Sequence, residues 1–180
     1  SYGVSALVMA ALFAAVLFLM GQPAICECGY VKIWHGGLMS AENSQHLSDW
    51  YVFSHVIHGV IFYWILSLVF PKWPVGLRFL AALSIEAGWE LFENTDFIIN
   101  RYRETALALD YYGDSIVNSL GDLSAAAFGF FLARRLPAWL SVLIIIVLEL
   151  FVLYFIRDNL TLNVIMLIYP FEFIQNWQVG

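Results

Sequence analysis

Long apolar runs alternate with shorter polar segments along this chain. Five of the runs, at residues 2–20, 50–70, 76–100, 114–133 and 138–156, come close to the roughly 20 residues that an α-helix needs to cross a bilayer. The longest polar segment separates the first two runs, and the other connections are short. The pattern therefore predicts an all-α integral membrane protein with about five transmembrane helices.

A sixth apolar stretch, at residues 163–177, is short for a membrane span and contains Pro170. We expect a C-terminal re-entrant or interfacial helix there. The polar segment at residues 21–48 carries His35 and His46. Loops of this length in compact proteins are often functional, so we expect an ordered extramembrane loop that forms a lid over the helix ends.

The composition agrees with a membrane protein. The chain has 180 residues, of which 62% are hydrophobic and 12% charged, with a mean hydropathy of +0.79. Soluble domains carry about 25% charged residues. The length allows a single helical domain over residues 1–180 without a separate soluble domain. The formal charge of −6 comes without any basic patch, which excludes a nucleic-acid partner.

Cys26 and Cys28 are the two cysteines of the chain. A separation of two residues is awkward for a disulfide, which requires a particular Cα distance and dihedral angle. A metal-binding or redox pair is an alternative, although metal sites usually need further ligands. The sequence favours two buried thiols in an ordered loop.

An acidic stripe interrupts the third apolar run. Glu86, Glu90 and Glu93 are spaced i, i+4 and i+7, which places them on one face of a helix. An ionisable side chain in the middle of a membrane costs roughly 2.5–3.5 kcal/mol. The stripe must therefore face protein, water, a cation or protons rather than lipid.

Polar side chains from several segments reach the same half of the membrane if the spans alternate in direction. His55 and His58 lie in the first third of the second span, on one face with Tyr51. Ser48 and Asp49 precede this span and are predicted as its N-cap and first-turn acid. The fourth span begins in the same half of the membrane and has polar residues spaced by four, at Asp114, Asn118 and Asp122.

This convergence resembles the ligand sets that bind metals between the helices of a bundle. Imidazole and carboxylate groups suit Zn, Mn, Fe or Mg. The predicted metal ligands are His55, His58, Glu86, Glu90 and Asp122. Glu93 or Asp114 would serve as the general base or acid. The substrate-binding candidates near the mouth of the site are Arg101, Arg103, Arg157 and Asn118.

The leading hypothesis is a membrane-embedded metal-dependent hydrolase that acts on a lipid or polyprenyl-linked substrate. The first alternative is an accessory or assembly subunit that binds other membrane proteins and has a purely structural polar core. The second alternative is a proton-coupled transporter whose carboxylates relay protons. Membrane lipids are expected partners in each case.

The orientation follows weakly from charge, because four basic residues fall on each side. The two tight basic turns, near Lys72 and Arg134, and the chance that the cysteines are oxidised favour the long loop on the outer side. Since two spans separate the long loop from the connector at residues 101–113, we expect both on the same side.

Several motifs are similar to those of a known family. They are Cys26-x-Cys28-Gly-Tyr-Val-Lys, Glu42-Asn-Ser-Gln-His46, Asp49-Trp-Tyr-x-Phe-Ser-His55-x-x-His58-Gly59, Glu86-Ala-Gly-Trp-Glu90, Asp110-Tyr-Tyr-Gly-Asp-Ser-Ile-x-Asn118-Ser-Leu-x-Asp122 and Arg157-Asp-Asn-Leu-Thr-Leu-Asn163. Over almost its whole length the chain resembles an uncharacterised bacterial inner-membrane protein family of unknown function. The resemblance implies an inner-membrane location and no particular activity. A looser similarity to VanZ-like small membrane proteins assigns no residue a role.

Overall fold

The computed structural model describes residues 1–104 and 110–180, and the regular secondary structure in these two ranges is helical. Four of the helices, α1, α2, α5 and α6, are long and apolar enough to cross a membrane, which confirms an all-helical membrane protein. The helices of the described residues are α1 (Tyr2–Leu19), α2 (Val52–Val69), α3 (Val75–Glu93), α4 (Asp96–Arg103), α5 (Ile116–Arg135), α6 (Ala138–Ile156), α7 (Leu160–Ile168) and α8 (Glu172–Val179).

Helix α3 is as long as these four but carries the acidic stripe. It packs against α1, α2 and α5, and the side chains of Glu86 and Glu90 are buried at 0% and 1% exposure. The stripe therefore faces protein, as its sequence requires.

Helices α2 and α5 form the most extensive contact in the bundle. Two glycines make it close, because a Cβ atom at Gly59 would overlap the Ala126 carbonyl oxygen, and one at Gly129 would overlap that of Val56. Small residues let membrane helices approach at backbone distance. The contact fixes the histidines of α2 against the N-terminal half of α5.

The ends of the bundle differ in character. We call the end where α2 and α5 begin the loop end, because the long loop lies there. At the opposite end, Leu66, Ala82 and Phe130 form a buried apolar cluster. The loop end contains most of the buried polar side chains described below.

The third predicted span divides into two helices. Asn94 ends α3, since its side chain donates to the Glu90 carbonyl and accepts from the backbone N–H of Asp114. The predicted single run at 76–100 is therefore wrong: α3 ends at Glu93, and the separate helix α4 begins at Asp96.

Two predicted helix starts also shift. Ser48 and Asp49 do not begin α2, which starts at Val52; Asp49 instead accepts hydrogen bonds from the backbone N–H groups of Ser44 and Tyr51. Helix α5 starts at Ile116 rather than at residue 114, because the Ser115 side chain caps it.

The predicted C-terminal helix at 163–177 is two helices in the structure, α7 and α8, separated around Pro170. Asn159 caps α7 by accepting from the backbone N–H of Leu162. Glu149 of α6 accepts from the N–H groups of Leu160 and Thr161, which fixes α7 against α6.

The long loop folds onto the start of α5. The Gln45 side chain donates to the carbonyl of Gly113 at 2.7 Å, and the backbone N–H of Ser115 donates to that of Ser44. The loop and the connector therefore lie at the same end of the bundle, as predicted. Residues 105–109 of that connector lie outside the described part of the chain.

The prediction of two buried thiols is wrong, because Cys26 and Cys28 form a disulfide. The backbone N–H of Gly29 donates to the Cys26 carbonyl and closes a turn. This turn brings the two Cα atoms to 5.1 Å, within the range of disulfides. Cys26 is buried, whereas Cys28 is exposed.

Candidate functional site

Both histidines of α2 contact the acidic stripe of α3. His55 Nδ1 donates to Glu86 Oε1 at 2.6 Å, and His58 Nδ1 donates to Glu86 Oε2 at 3.1 Å. The predicted contact between the histidines and the stripe is confirmed. Because Nδ1 of His55 is occupied by Glu86, its Nε2 atom is left for another partner, and Asp122 Oδ2 of α5 lies 3.8 Å from it.

Glu90 lies beside this group without a hydrogen-bond donor. Its Oε1 atom is 3.3 Å from His55 Nδ1, yet neither carboxylate oxygen has a hydrogen-bond partner among the described residues. The Oδ1 atom of Asp122 is likewise buried and unpartnered. A buried charge without partners is strongly unfavourable, so these oxygens require a cation or protons.

The five predicted metal ligands are thus together. We call them the bundle cluster: His55, His58, Glu86, Glu90 and Asp122. Glu86 is occupied by two imidazoles, whereas His55, Glu90 and Asp122 each offer one possible ligand atom within 4.8 Å of the others. The ligand role of all five stays a prediction, and the geometry favours these last three.

Glu93 and Asp114 lie next to the bundle cluster and differ in their partners. Asp114 accepts hydrogen bonds on both oxygens, from the Tyr111 hydroxyl at 3.0 Å and the Asn94 amide at 3.1 Å. Glu93 is half-buried, and the Tyr102 side chain lies close to its carboxyl group. Glu93 therefore has more free acceptor capacity than Asp114 for a proton from a ligand.

An acidic cavity of about 60 Å³ lies at the loop end and is lined by His55 and Asp122 of the bundle cluster together with Glu93 and Asp114. Neither lysine nor arginine is among the described residues that line it, so its wall repels anions and attracts cations. The lining residues are Asn43, Ser44, Asp49, Tyr51, His55, Glu93, Tyr102, Tyr111, Asp114, Asn118, Asp122, Asp158, Asn163, Met166 and Gln178. Asn43 and Ser44 belong to the long loop, so part of that loop lines the cavity; its role as a lid stays a prediction.

The predicted substrate-binding arginines do not line the cavity. Arg101 donates to the carbonyls of Leu167 and Ile168, and so holds the end of α7. Arg103 and Arg157 also bind carbonyl oxygens, on Tyr111 and Trp177 respectively.

Asn118 does line the cavity, while its amide donates to the His46 carbonyl at 2.7 Å. Of the four predicted substrate-binding residues, Asn118 alone is brought to the cavity. The three arginines bind backbone in the segments around it.

Several lining residues were not predicted from the sequence as site residues. Asp49 was interpreted as a helix cap, although its position just before the histidine-bearing helix was a usable signal. Tyr102, Tyr111, Asn163 and Gln178 come from segments without a polar periodicity. The fold brings them to the cavity from α4, α7, α8 and, for Tyr111, the connector before α5.

A second histidine–carboxylate group lies in the long loop, and we call Lys32, His35, Glu42 and His46 the loop cluster. Glu42 accepts hydrogen bonds from Lys32 Nζ at 2.6 Å and from His46 Nε2 at 2.9 Å, and also from the Tyr30 hydroxyl. The hydrogen bond from Lys32, followed by that from His46, lowers the pKa of Glu42 to about 2. The same Lys32–Glu42 hydrogen bond raises the pKa of Lys32.

Comparisons with known proteins identify relatives in bacteria. A family model described as "Protein of unknown function (DUF2585)" matches residues 17–180. A UPF0314 protein of Brucella anthropi is 53% identical, over 99% of this chain and 92% of its own length. UPF0314 proteins of Rhizobium etli and Paracoccus denitrificans are 54% and 51% identical, over 96% and 97% of this chain and 89% of their own lengths. No solved structure matches. The resemblance to an uncharacterised bacterial family is confirmed.

Proposed function

The chain belongs to the DUF2585 family, and we propose that it is a membrane-embedded, metal-dependent enzyme that hydrolyses a lipid or polyprenyl-linked substrate. The observation that carries the proposal is the Glu90 carboxylate, which is buried at 1% exposure beside His55 and Asp122 and has no hydrogen-bond partner on either oxygen among the described residues. A divalent cation would satisfy all three groups at once.

In this proposal His55, Glu90 and Asp122 would hold the metal. Glu86 fixes the orientation of His55 through the 2.6 Å hydrogen bond at Nδ1, an arrangement that is common behind metal-binding histidines. Three protein ligands are typical of catalytic sites, which keep one position open for water or substrate. The mixed nitrogen and oxygen donors fit Zn, Mn, Fe or Mg.

The metal would supply an acidified water and a Lewis acid for hydrolysis. Glu93 lines the same cavity and is the carboxylate with free acceptor capacity, so it takes the role of general base. Hydrogen bonds from Tyr111 and Asn94 hold Asp114 in place, and its carboxyl group maintains the electrostatic potential of the site. An anionic substrate group would bind through the metal, because the described residues of the lining include no lysine or arginine.

We place α3 as a fifth transmembrane helix in the bacterial inner membrane. Its 19 residues match the lengths of the four apolar helices, and its stripe faces α2 and α5 instead of lipid. Helices α7 and α8 lie at the interface, where Met166 and Gln178 close the cavity. The Cys26–Cys28 disulfide favours the long loop on the outer, oxidising side.

Two observations separate this proposal from its rivals. A proton-coupled transporter needs a path to both sides, whereas Phe130, Leu66 and Ala82 fill the far end with buried apolar groups. A purely structural polar core is expected to satisfy its members, because half-satisfied networks are unfavourable. Glu90 violates that expectation.

The test is metal analysis of the full-length protein, purified in detergent after incubation with each of the four metals. We expect one bound metal per chain and its loss in Glu90→Ala, whereas Glu172→Ala, at an exposed acid of α8, retains it. A folded wild-type protein without bound metal contradicts the proposal.

The hydrolase step is tested separately with a polyprenyl diphosphate and with phospholipid vesicles as probes. Glu93→Gln should keep the metal and lower the rate of hydrolysis by about 10²–10⁴-fold. An unchanged rate would remove Glu93 from the mechanism, and metal binding without hydrolysis of either probe would contradict the proposed reaction.

A further inference from the structure

The Cys26–Cys28 disulfide closes a very small ring, with a sequence separation of two. The entropic stabilisation from a disulfide grows with the length of the loop that it closes, so this bond stabilises the fold very little. The loop is also held by other contacts. The backbone N–H groups of Ile116 and Val117 donate to the carbonyls of Pro23 and Ala24, at 2.8 and 3.2 Å. A structural crosslink is not needed here.

The two sulfur atoms are also in unequal surroundings. Cys28 is exposed, whereas Cys26 is buried at 3% exposure. The backbone N–H of Cys28 donates to Cys26 Sγ at 3.2 Å. A hydrogen bond of this kind stabilises a thiolate on Cys26, which makes Cys26 the better leaving group.

We propose that Cys26–Cys28 is a thiol–disulfide exchange site that oxidises a cysteine pair of another polypeptide. The first thiolate of that pair attacks the exposed Cys28 sulfur, forming a mixed disulfide and releasing Cys26 as a thiolate. The second thiolate of the pair then attacks the sulfur of the first cysteine in the mixed disulfide. This closes a disulfide within the other polypeptide and releases Cys28 as a thiolate. The partner loses two electrons and gains a disulfide, and this chain gains two thiols.

The surroundings of the disulfide fit a polypeptide partner. Ile25, Tyr30 and Val31 flank the two cysteines and are 43%, 47% and 45% exposed. Exposed apolar side chains around a reactive sulfur bind the apolar segments that accompany buried cysteines in partially folded proteins. This activity lies outside the bundle cluster and goes beyond the proposed hydrolase.

The first test compares two single-cysteine variants of the full-length protein in nanodiscs, with oxidised glutathione as the probe. Because Cys28 is exposed and Cys26 is buried, Cys26→Ser should form a mixed disulfide about tenfold faster than Cys28→Ser. Mass spectrometry measures both rates. Equal rates, or a faster Cys28→Ser variant, would overturn the proposal.

The second test uses the wild-type protein with a reduced peptide that carries two cysteines and apolar flanks. We expect one peptide disulfide formed per chain and two new thiols on the protein. Reduction should move the thermal unfolding midpoint by less than ~2 °C, since the small ring contributes little. No peptide oxidation, or a much larger fall of the midpoint on reduction, would identify a structural crosslink and overturn the proposal.

Discussion

The bundle cluster and the loop cluster contain the same chemical groups but differ in how fully their carboxylates are hydrogen-bonded. Each contains two histidines and at least one carboxylate within hydrogen-bond distance. In the loop cluster the single carboxylate of Glu42 accepts hydrogen bonds from Lys32, His46 and the Tyr30 hydroxyl, so its acceptor capacity is filled. In the bundle cluster three carboxylates share two histidines, and Glu90 receives no hydrogen bond from any residue that the structure describes.

The difference teaches how to distinguish a structural histidine from a ligand. His46 accepts the backbone N–H of Lys32 on Nδ1 and contacts Glu42 through Nε2, so both ring nitrogens are used. His55 uses Nδ1 for Glu86 and has only Asp122 near Nε2, at 3.8 Å. A saturated imidazole stabilises the fold, whereas an imidazole with one free nitrogen beside unpaired carboxylates offers a metal site.

The largest expected effect separates the two clusters by metal content. His55→Ala should reduce bound metal from one per chain to none, while His46→Ala should keep it. His46→Ala should instead destabilise the protein by roughly 1–3 kcal/mol, because it leaves a buried donor and an acceptor unpaired. Glu86→Gln should only weaken the metal affinity, by about 10–100-fold, as expected for a residue that orients a ligand.

Elemental analysis and metal titration of the purified variants measure these three outcomes. Loss of metal from His46→Ala with retention in His55→Ala would reverse the assignment of the two clusters.

A smaller effect is expected in protein treated with a chelator, where two substitutions should change the thermal stability in opposite directions. Glu90→Gln replaces a buried carboxyl group that has no hydrogen-bond donor among the described residues and is close to the carboxyl groups of Glu93, Asp114 and Asp122. We expect the unfolding midpoint to rise by about 2–4 °C. Glu42→Gln should lower it, because it removes the hydrogen-bonded charge that Lys32 and His46 contact. Thermal scans in EDTA measure both, and a fall for Glu90→Gln would show that its carboxylate is satisfied without metal.

Helical periodicity and the membrane cost of charge account for what the sequence revealed. The contact between the acidic stripe and His55 was predictable from the i, i+4, i+7 spacing of the stripe and the position of His55 in α2. Ionisable side chains in membrane-spanning helices must face other protein groups rather than lipid. The same reasoning placed Asp122 of α5 near His55.

What the sequence did not reveal depends on side-chain contacts that periodicity does not carry. Asn94 ends α3 by bonding to the start of α5, which no local pattern indicates. Arg101 and Arg157 looked free to bind substrate, yet each satisfies carbonyls of a helix more than 15 positions away in the chain. The Cys26–Cys28 bond depends on the turn closed by Gly29.

The smallest expected effect is the pH dependence of the loop cluster. The hydrogen bonds from Lys32 and His46 lower the pKa of Glu42 from 4.5 to about 2 in the folded protein. Because the folded pKa lies below the unfolded one, the stabilisation by ionised Glu42 is fully present above about pH 4.5 and is lost as the pH falls through about 2. The contribution is small, since the Glu42 side chain is 31% exposed and solvent screens its charge.

The measurement compares the unfolding midpoints of wild type and Glu42→Gln between pH 7 and pH 2, with Glu172→Gln as a control at an exposed acid. We expect the difference between wild type and Glu42→Gln to be constant between pH 5 and 6, to shrink below about pH 4.5 and to vanish near pH 2. If that difference persists unchanged to pH 2, then Glu42 stabilises the loop by packing alone. The contrast between the filled carboxylate of Glu42 and the unpartnered carboxylate of Glu90 would then lose its electrostatic basis.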